Sequence, residues 1–321
     1  MARSSIHPRA AAAAHSTESV TIKLNGPFDL PLSLEAAASF LPPVDGIPQS
    51  LKQPIAVDGR SAVIEIRQQS RTPAIIEASA TSALPRSRLE KHALWLTSGD
   101  LDLRAFYRIA AAHPVMGVVA KRLRGLKPLR PASLFEMAII AITEQQLSLA
   151  AAFHIRRRLV ERFGRPVEDL WVFPTADQIA TVSLRNLRAC GLSGRKAEYV
   201  RDFARCVASG DLGLEATKYQ PDSEVRDRLM KCRGFGSWSV EYFLLRGLGR
   251  WNALPSEDVG LRRTIGRYLG HRRRLSPGQL ERALSPFTPF RGLAAYYLAV
   301  AYRLQPRKFP LIPRDSMTAE R

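Results

Sequence analysis

The sequence predicts an α+β protein in which a small antiparallel sheet domain precedes an all-α domain. Over the first hundred residues, short runs rich in Val and Ile alternate apolar with polar positions, which is the period of strands. After about residue 100, apolar residues recur every three or four positions, which is the period of helices. Charge divides at the same place, since residues 1–100 carry a net +1 and residues 101–321 carry +18. We therefore expect two domains with different roles, over 19–100 and 101–308.

The predicted sheet domain consists of four strands and at least one helix. A short helix is expected between Pro31 and Pro42, where LSLEAAASFL is apolar on one side. The strand pattern occurs in four segments: SVTIKL, PIAVDG, SAVIEIRQQ and AIIEASA. Turn-forming Pro and Gly residues separate these segments, as in a small antiparallel sheet.

The second domain contains a series of amphipathic helical segments. Ser133 and Thr175 stand where N-caps are expected, and Gly164, Gly191 and Gly210 stand where helices should stop. The segments are DLRAFYRIAAAH, SLFEMAIIAITEQQLSLAAAFHIRRRLVERFG, TADQIATVSLRNLRACG, RKAEYVRDFARCVASG and SEVRDRLMKCRG. Each is expected to be one helical stretch of an all-α domain.

Composition excludes several classes of protein. No stretch approaches the ~18 consecutive apolar residues of a membrane span, so we expect no membrane association. Three cysteines (Cys190, Cys206 and Cys232) are too few for a disulfide framework and lack the paired spacing of a zinc site. This pattern predicts a reducing compartment and no metal site. Residues 1–18 lack the apolar core of a secretory signal, and we predict a disordered tail there and a second tail at 309–321.

The most informative segment is LMKCRGFGSWSVEYFLLRGLGRW, residues 229–251, in which two helices meet at a short turn. Gly234 and Gly236 permit backbone conformations and close approaches that other residues do not. The second helix should begin at Ser237, with free N–H groups that form an anion site. With the net charge of +18, this predicts contact with the phosphates of a nucleic acid, made by the main chain and without reading sequence.

Four ordered motifs over roughly residues 95–305 resemble the helix-hairpin-helix DNA glycosylase superfamily, in particular its alkylbase branch, DNA-3-methyladenine glycosylase II. The hairpin motif is matched by Leu229, Gly234, Phe235, Gly236, Trp238 and Ser239. The other three motifs are AIIAITEQQLS, GLSGRKAEYVRDFA and PSEDVGL. The resemblance implies a helical glycosylase domain that acts on double-stranded DNA containing damaged bases in base excision repair, as a monomer in the cytoplasm of a bacterium or the nucleus of a eukaryote.

Asp258, twenty residues after Trp238, stands where the family carries its catalytic aspartate. A carboxylate beneath the sugar would stabilise the positive charge that develops as the base leaves, and could orient the attacking water. The spacing alone fits an Asp that only caps a helix beginning near Val259. Bifunctional relatives place a Lys where this chain has Trp238, so the resemblance implies hydrolysis without strand cleavage.

The resemblance also assigns residues to the substrate pocket and to DNA. Trp238 and Tyr242, four apart on one helix, would line the pocket and stack on a flipped base, although the same spacing suits core packing. Gln146 would fill the gap left in the duplex, with Gln145 beside it. The predicted DNA contacts are Gly234, Phe235, Gly236, Ser237, Gln145, Gln146, Lys196 and Arg233.

Departures from the family pattern leave the substrate open. Arg233 replaces the usual Pro, and the last helix, PFRGLAAYYLAVAYRL, has no Trp where alkylbase enzymes often carry one. Tyr296, Tyr297 or Tyr302 could take its place. The alternatives are therefore a glycosylase for oxidised or deaminated bases, and a non-catalytic DNA-binding protein. No iron–sulfur cluster is expected, because no cysteine follows Cys232, and a monovalent cation at the hairpin is allowed but not required.

Overall fold

The computed structural model describes residues 19–43, 46–271 and 273–304. The two predicted tails and residues 305–308 of the predicted helical domain lie outside the described residues. No helix among the described residues is long and apolar enough to cross a membrane.

The first domain is a four-stranded antiparallel sheet with strand order β1-β4-β3-β2. The strands are β1 (Ser19–Lys23), β2 (Leu51–Val57), β3 (Arg60–Arg71) and β4 (Ala74–Ala80). Every second side chain of β4 is buried, so one face of the sheet packs on the core and the prediction from alternation is confirmed. Two helices accompany it: α1 (Leu30–Ala38) and α2 (Arg86–Leu96).

The second domain is helical, as predicted. Its helices are α3 (Leu103–Ala111), α4 (Pro114–Arg122), α5 (Leu134–Glu144), α6 (Leu149–Phe163), α7 (Ala176–Ala180), α8 (Leu184–Ala189), α9 (Gly194–Ala208), α10 (Asp222–Met230), α11 (Ser237–Arg246), α12 (Val259–Tyr268), α13 (Pro277–Leu284) and α14 (Arg291–Leu304). A short ribbon that the sequence did not indicate, β5 (Arg165–Val167) with β6 (Leu170–Val172), follows α6. The α+β fold class is confirmed.

One predicted helix is wrong in its extent. The segment that begins at Ser133 is two helices, because the chain leaves the helical conformation at Gln145 and adopts a positive φ of 53° at Gln146. The Ser148 side chain then accepts the Ala151 N–H and starts α6. The two glutamines therefore stand on a turn and not within a helix. The segment after Thr175 divides in the same way into α7 and α8, with Ser183 as the second cap.

The helical domain has two hydrophobic clusters, and α11 and α14 belong to different ones. Phe243 and Leu244 of α11 pack with α5, α9 and α10, whereas Leu293 and Tyr297 of α14 pack with α3, α4 and α12. Trp251 contacts both clusters. The side of α11 that carries Trp238 and Tyr242 faces α14, where the Arg246 guanidinium lies over the Tyr296 ring. The region between these two helices, where the two cores meet, is called the cleft below.

Candidate functional site

The connection between α10 and α11 is held by close packing at Gly234. Its φ of +92° is in the left-handed region, and a Cβ added there would lie 2.5 Å from Tyr199 Cγ on α9. The Gln145 side chain fixes the same turn, since its Nε2 donates to the Gly234 carbonyl (2.6 Å) and to Ser239 Oγ (2.7 Å). Gln145 therefore ties the end of α5 to the hairpin, and its predicted contact with DNA stays a prediction.

Phe235 packs into the helical core beneath the hairpin. Its side chain is buried and stacks on Phe203 with ring centroids 5.0 Å apart, and its N–H donates to the Cys232 carbonyl (3.0 Å). The ring and the N–H are thus engaged within the protein, and the predicted contact of Phe235 with DNA stays a prediction. Its ring anchors the hairpin to the helical core.

The N-terminus of α11 is open to solvent. Gly236 is the N-cap and, among the described residues, no side chain caps this helix end, whereas α5, α6, α9 and α12 each have a capping side chain. Gly236 and Ser237 are both exposed, so the first-turn N–H groups face outward. The predicted main-chain anion site would lie at this helix end, and its contact with phosphate stays a prediction.

Two predicted basic contacts are directed towards the protein. The Arg233 guanidinium lies 3.4 Å from Glu198 and 3.3 Å from Asp202, both on α9. The Lys196 ammonium donates to the carbonyls of Thr143 (2.9 Å) and Gln145 (2.5 Å), where it stabilises the C-terminal end of α5. Burial lowers the pKa of Lys196. Both side chains brace the hairpin region, and their contacts with phosphate stay predictions.

Asp258 and Trp238 are in contact, as the family resemblance implies. The indole Nε1 of Trp238 donates to Asp258 Oδ2 (2.9 Å), and the Leu261 N–H donates to Oδ1 (2.8 Å). Asp258 is therefore the N-cap of α12, and the same carboxylate also faces the cleft. Trp238 in turn stacks on Tyr242, with ring centroids 5.0 Å apart and planes inclined by 24°.

The opposite wall of the cleft comes from α14 and from the loop after α1. Tyr296 and Arg303 lie seven residues apart on one side of α14, and Phe40 stacks on Tyr296 at 6.1 Å. Arg303 donates to the Ser39 carbonyl (2.8 Å). Burial lowers the pKa of Arg303, and the negative charge of Asp258 offsets part of that effect. Phe40, a residue of the sheet domain, thus borders a site whose other residues belong to the helical domain.

Of the three tyrosines considered for the missing Trp, Tyr296 lies in this wall. Tyr297 is fully buried in the other core, where its hydroxyl donates to the Leu126 carbonyl (2.7 Å). Tyr302 pairs with Arg267 on α12. Tyr296 is buried between the Phe40 ring and the Arg246 guanidinium, which lies 5.0 Å from the centre of its ring.

A buried ion pair that the sequence analysis missed joins the end of α5 to α6. Glu144, the last residue of α5, accepts from Arg156 Nη1 at 2.9 Å, and the side chains are only 8% and 14% exposed. Burial and the nearby negative charge of Glu144 raise the pKa of Tyr242. No periodicity or spacing marked Glu144, because it is one polar residue at the end of an apolar helix whose partner comes from the next helix.

The turn between α5 and α6 forms the exposed tip beside the cleft. Gln146 and Leu147 are both exposed there, and Leu147 is an apolar residue 42% exposed that the sequence analysis did not single out. An apolar side chain on a protruding turn suits insertion between bases. A carboxylate, a stacked aromatic pair, an open helix N-terminus and this turn thus lie on α11 or are tied to it by hydrogen bonds.

Comparisons with known proteins agree on one family. Residues 139–289 match the family model described as HhH-GPD superfamily base excision DNA repair protein. DNA-3-methyladenine glycosylase of Bacillus subtilis is 31% identical over 62% of this chain and 67% of its own length. DNA-3-methyladenine glycosylase 1 of Schizosaccharomyces pombe is 30% identical over 56% of this chain and 77% of its own length. The solved structure of 3-methyladenine DNA-glycosylase from Archaeoglobus fulgidus superimposes with a TM-score of 0.77, 25% identity, and coverage of 91% of this chain and 100% of that one.

Proposed function

The chain belongs to the HhH-GPD superfamily of base excision DNA repair proteins, in its alkylbase branch, and we propose that it is a monofunctional DNA glycosylase for alkylated purines in double-stranded DNA. The observation that carries this proposal is the hydrogen bond from Trp238 to Asp258 at the mouth of an aromatic cleft. It places a fixed carboxylate next to a surface on which a base can stack.

The two hydrogen bonds to Asp258 define its part in the reaction. They fix both carboxylate oxygens, so the charge is positioned before the substrate arrives and needs no reorganisation as the bond breaks. In the bound complex, this negative charge would face the sugar as the N-glycosidic bond lengthens and the sugar becomes cationic. The same carboxylate would then orient the water that attacks the sugar.

The base itself is held outside the duplex. A flipped nucleotide must be read in a pocket, and the stacked rings of Trp238 and Tyr242 offer an aromatic wall to it. An alkylated, cationic base is attracted to such a wall and is also a better leaving group. Gln146, with Leu147 beside it, would fill the space that the flipped base leaves.

The DNA is bound through groups that do not distinguish one base sequence from another. The open N-terminus of α11 at Gly236 and Ser237 would bind a phosphate, and the net charge of +18 beyond residue 100 would attract the duplex as a whole. A monovalent cation at the hairpin carbonyls remains part of the proposal. We propose that the protein acts as a monomer, in the nucleoid of a bacterium or the nucleus of a eukaryote.

Mass spectrometry of the bases released from a panel of damaged duplexes tests the function. We expect methylated purines in the supernatant of methylated DNA and none from undamaged DNA. Release of only oxidised or deaminated bases would replace the proposed substrate with the alternative one. Release of no base from any duplex, with DNA binding intact, would identify a non-catalytic DNA-binding protein.

The absence of lyase activity is tested separately by borohydride trapping. A Schiff base with the sugar needs a nucleophilic amine, and the indole of Trp238 cannot supply one. We expect no protein–DNA adduct when active protein is incubated with damaged duplex and borohydride, and no strand cleavage at the abasic product. A bifunctional glycosylase assayed in parallel provides the positive control, and an adduct with this chain would contradict the prediction.

A further inference from the structure

Arg130 lies between two tryptophans where the sheet domain meets the helical domain. Its Cζ atom is 4.8 Å from the centre of the Trp95 ring and 5.5 Å from that of Trp251, and its side chain is only 4% exposed. Trp95 packs on both the sheet core and the helical core that contains α11, whereas Trp251 packs on both helical cores. Arg130 therefore bridges the two residues that join the three hydrophobic cores.

The main chain at Arg130 is attached to both domains. The Arg130 N–H donates to the carbonyl of Leu96, the last residue of α2 (3.0 Å). On the other side, Arg246 Nη2, at the end of α11, donates to the Leu129 carbonyl (3.2 Å). This segment thus connects a helix of the sheet domain to the end of the helix that carries the proposed base pocket.

The Trp251 carbonyl starts the helix that forms the opposite wall of the cleft. It accepts the N–H groups of Gly292 (2.9 Å) and Leu293 (3.1 Å), in the first turn of α14. The loop can come this close only because residue 292 is glycine, since a Cβ there would lie 2.0 Å from the Ala253 carbonyl oxygen. The same loop continues to Asp258. A displacement of Trp251 would therefore move both the start of α14 and the approach to Asp258.

The ion pair of Arg130 contributes little to stability. Asp100 accepts from Arg130 Nη2 at 3.1 and 3.2 Å, but the Asp100 side chain is 64% exposed. Arg130 Nε is buried and has no hydrogen-bond partner among the described residues. A buried ion pair of this kind is often no more stable than an apolar side chain of similar size. What the guanidinium supplies instead is a rigid planar group that packs between two rings.

We propose that Arg130 is a positioning residue for base release, because its guanidinium, held between Trp95 and Trp251, keeps the loop after α11 in the place that the reaction needs. This inference rests on the proposed function. The loop leads to Asp258 and starts α14, so the carboxylate and the far wall of the cleft both depend on this contact with the sheet domain. The sheet domain thereby contributes to the rate of bond cleavage.

Two substitutions disturb this contact in different ways. Arg130→Met keeps a long unbranched side chain that ends at the depth of Nε, so no planar group packs between the rings. Gly249→Ala keeps Arg130 but places a Cβ 2.1 Å from its Nη2, at a φ of +68°. Because Nη2 is the end of a flexible side chain, the guanidinium is what must move. Gly210→Ala controls for the backbone, since its φ is +85° and its Cβ would meet nothing within 4 Å.

Single-turnover release of methylated purines, with protein in excess over DNA, separates positioning from stability. Partial unfolding raises the protein concentration that gives half the maximal rate but leaves the limiting rate constant unchanged, whereas misplacement lowers the limiting rate constant itself. We expect R130M and G249A each to lower that constant about tenfold, since a 1 Å misplacement of reacting groups costs about a hundredfold. G210A should keep the wild-type constant.

The double variant shows whether the two substitutions act through one contact. In the R130M background the clash with Nη2 is gone, so G249A should lower the limiting rate constant by less than about twofold more. Limiting rate constants within about twofold of wild type in folded R130M and G249A would overturn the inference while leaving the proposed function intact, and so would an undiminished effect of G249A in the R130M background. If the wild-type protein releases no methylated base, the proposed function fails, and the inference with it.

Discussion

Replacement of Asp258 by Asn is expected to lower base release by about a thousandfold while leaving DNA binding unchanged, as for the loss of a preorganised charge that stabilises a transition state. The amide has the shape of the carboxylate but carries no charge to oppose the cationic sugar. Asparagine is also a good N-cap, so it can still accept the Leu261 N–H that starts α12. Single-turnover release of methylated purines and fluorescence anisotropy with the same duplex measure the two properties.

This variant distinguishes catalysis from capping because the two roles of Asp258 respond differently. Asp258→Ala removes both the charge and the cap, so it should lose activity and about 1 kcal/mol of unfolding free energy. Glu257→Gln, at the exposed neighbouring position, should retain activity and stability. If D258N keeps more than about a tenth of the wild-type rate, the carboxylate contributes under about 1.4 kcal/mol to the barrier, and Asp258 serves only as the cap.

Much of the fold followed from periodicity. The change from a period of two to one of 3.6 divided the chain into its sheet and helical parts, and Ser133 and Thr175 are N-caps as predicted. The break at Gln145 and Gln146 was missed because the apolar pattern continues across it. The positive φ of Gln146 is set by tertiary contacts, here the hydrogen bond from Gln145 to the hairpin. Such contacts leave no local signal in the sequence.

The site was predictable only in part, and the reason is side-chain direction. The pairing of Trp238 with Asp258 came from the motif resemblance, and the structure places them in contact. The sequence does not tell where a loop side chain points, so it gave no sign that the Phe235 ring packs in the core. Glu144 was missed for a related reason, because its partner Arg156 is on a different helix.

The three consecutive arginines of α6, residues 156–158, show what helical geometry alone predicts about side-chain direction. Three consecutive helical residues must point in different directions, and these three do: Arg156 binds Glu144, Arg157 binds Glu161, and Arg158 donates to the Cys190 carbonyl. Periodicity thus gives the direction of a helical side chain relative to its neighbours, but not which partner it meets.

The substitution Gly234→Ala is expected to disrupt the hairpin and with it the grip on DNA. The added Cβ would lie 2.5 Å from Tyr199 Cγ and 2.7 Å from Tyr199 Cβ. Because the Cβ of Tyr199 is fixed to the α9 backbone, rotation of its ring cannot relieve the contact, and the hairpin must move away from α9. We expect a loss of about 3 kcal/mol in unfolding free energy, from overpacking added to the cost of a positive φ, and at least about tenfold weaker duplex binding.

Gly210→Ala is the matched control, since it has the same kind of backbone and none of the crowding. Gly210 has a φ of +85°, and a Cβ there would meet nothing within 4 Å. It should therefore lose only about 1 kcal/mol, the cost of placing alanine in the left-handed region, and bind DNA as the wild type does. Urea unfolding and anisotropy titrations on both variants measure the difference. Equal stability and equal binding in the two variants would mean that contact with Tyr199 does not hold the hairpin, and that the α11 N-terminus is positioned by the Gln145 clip and the buried Phe235 ring instead.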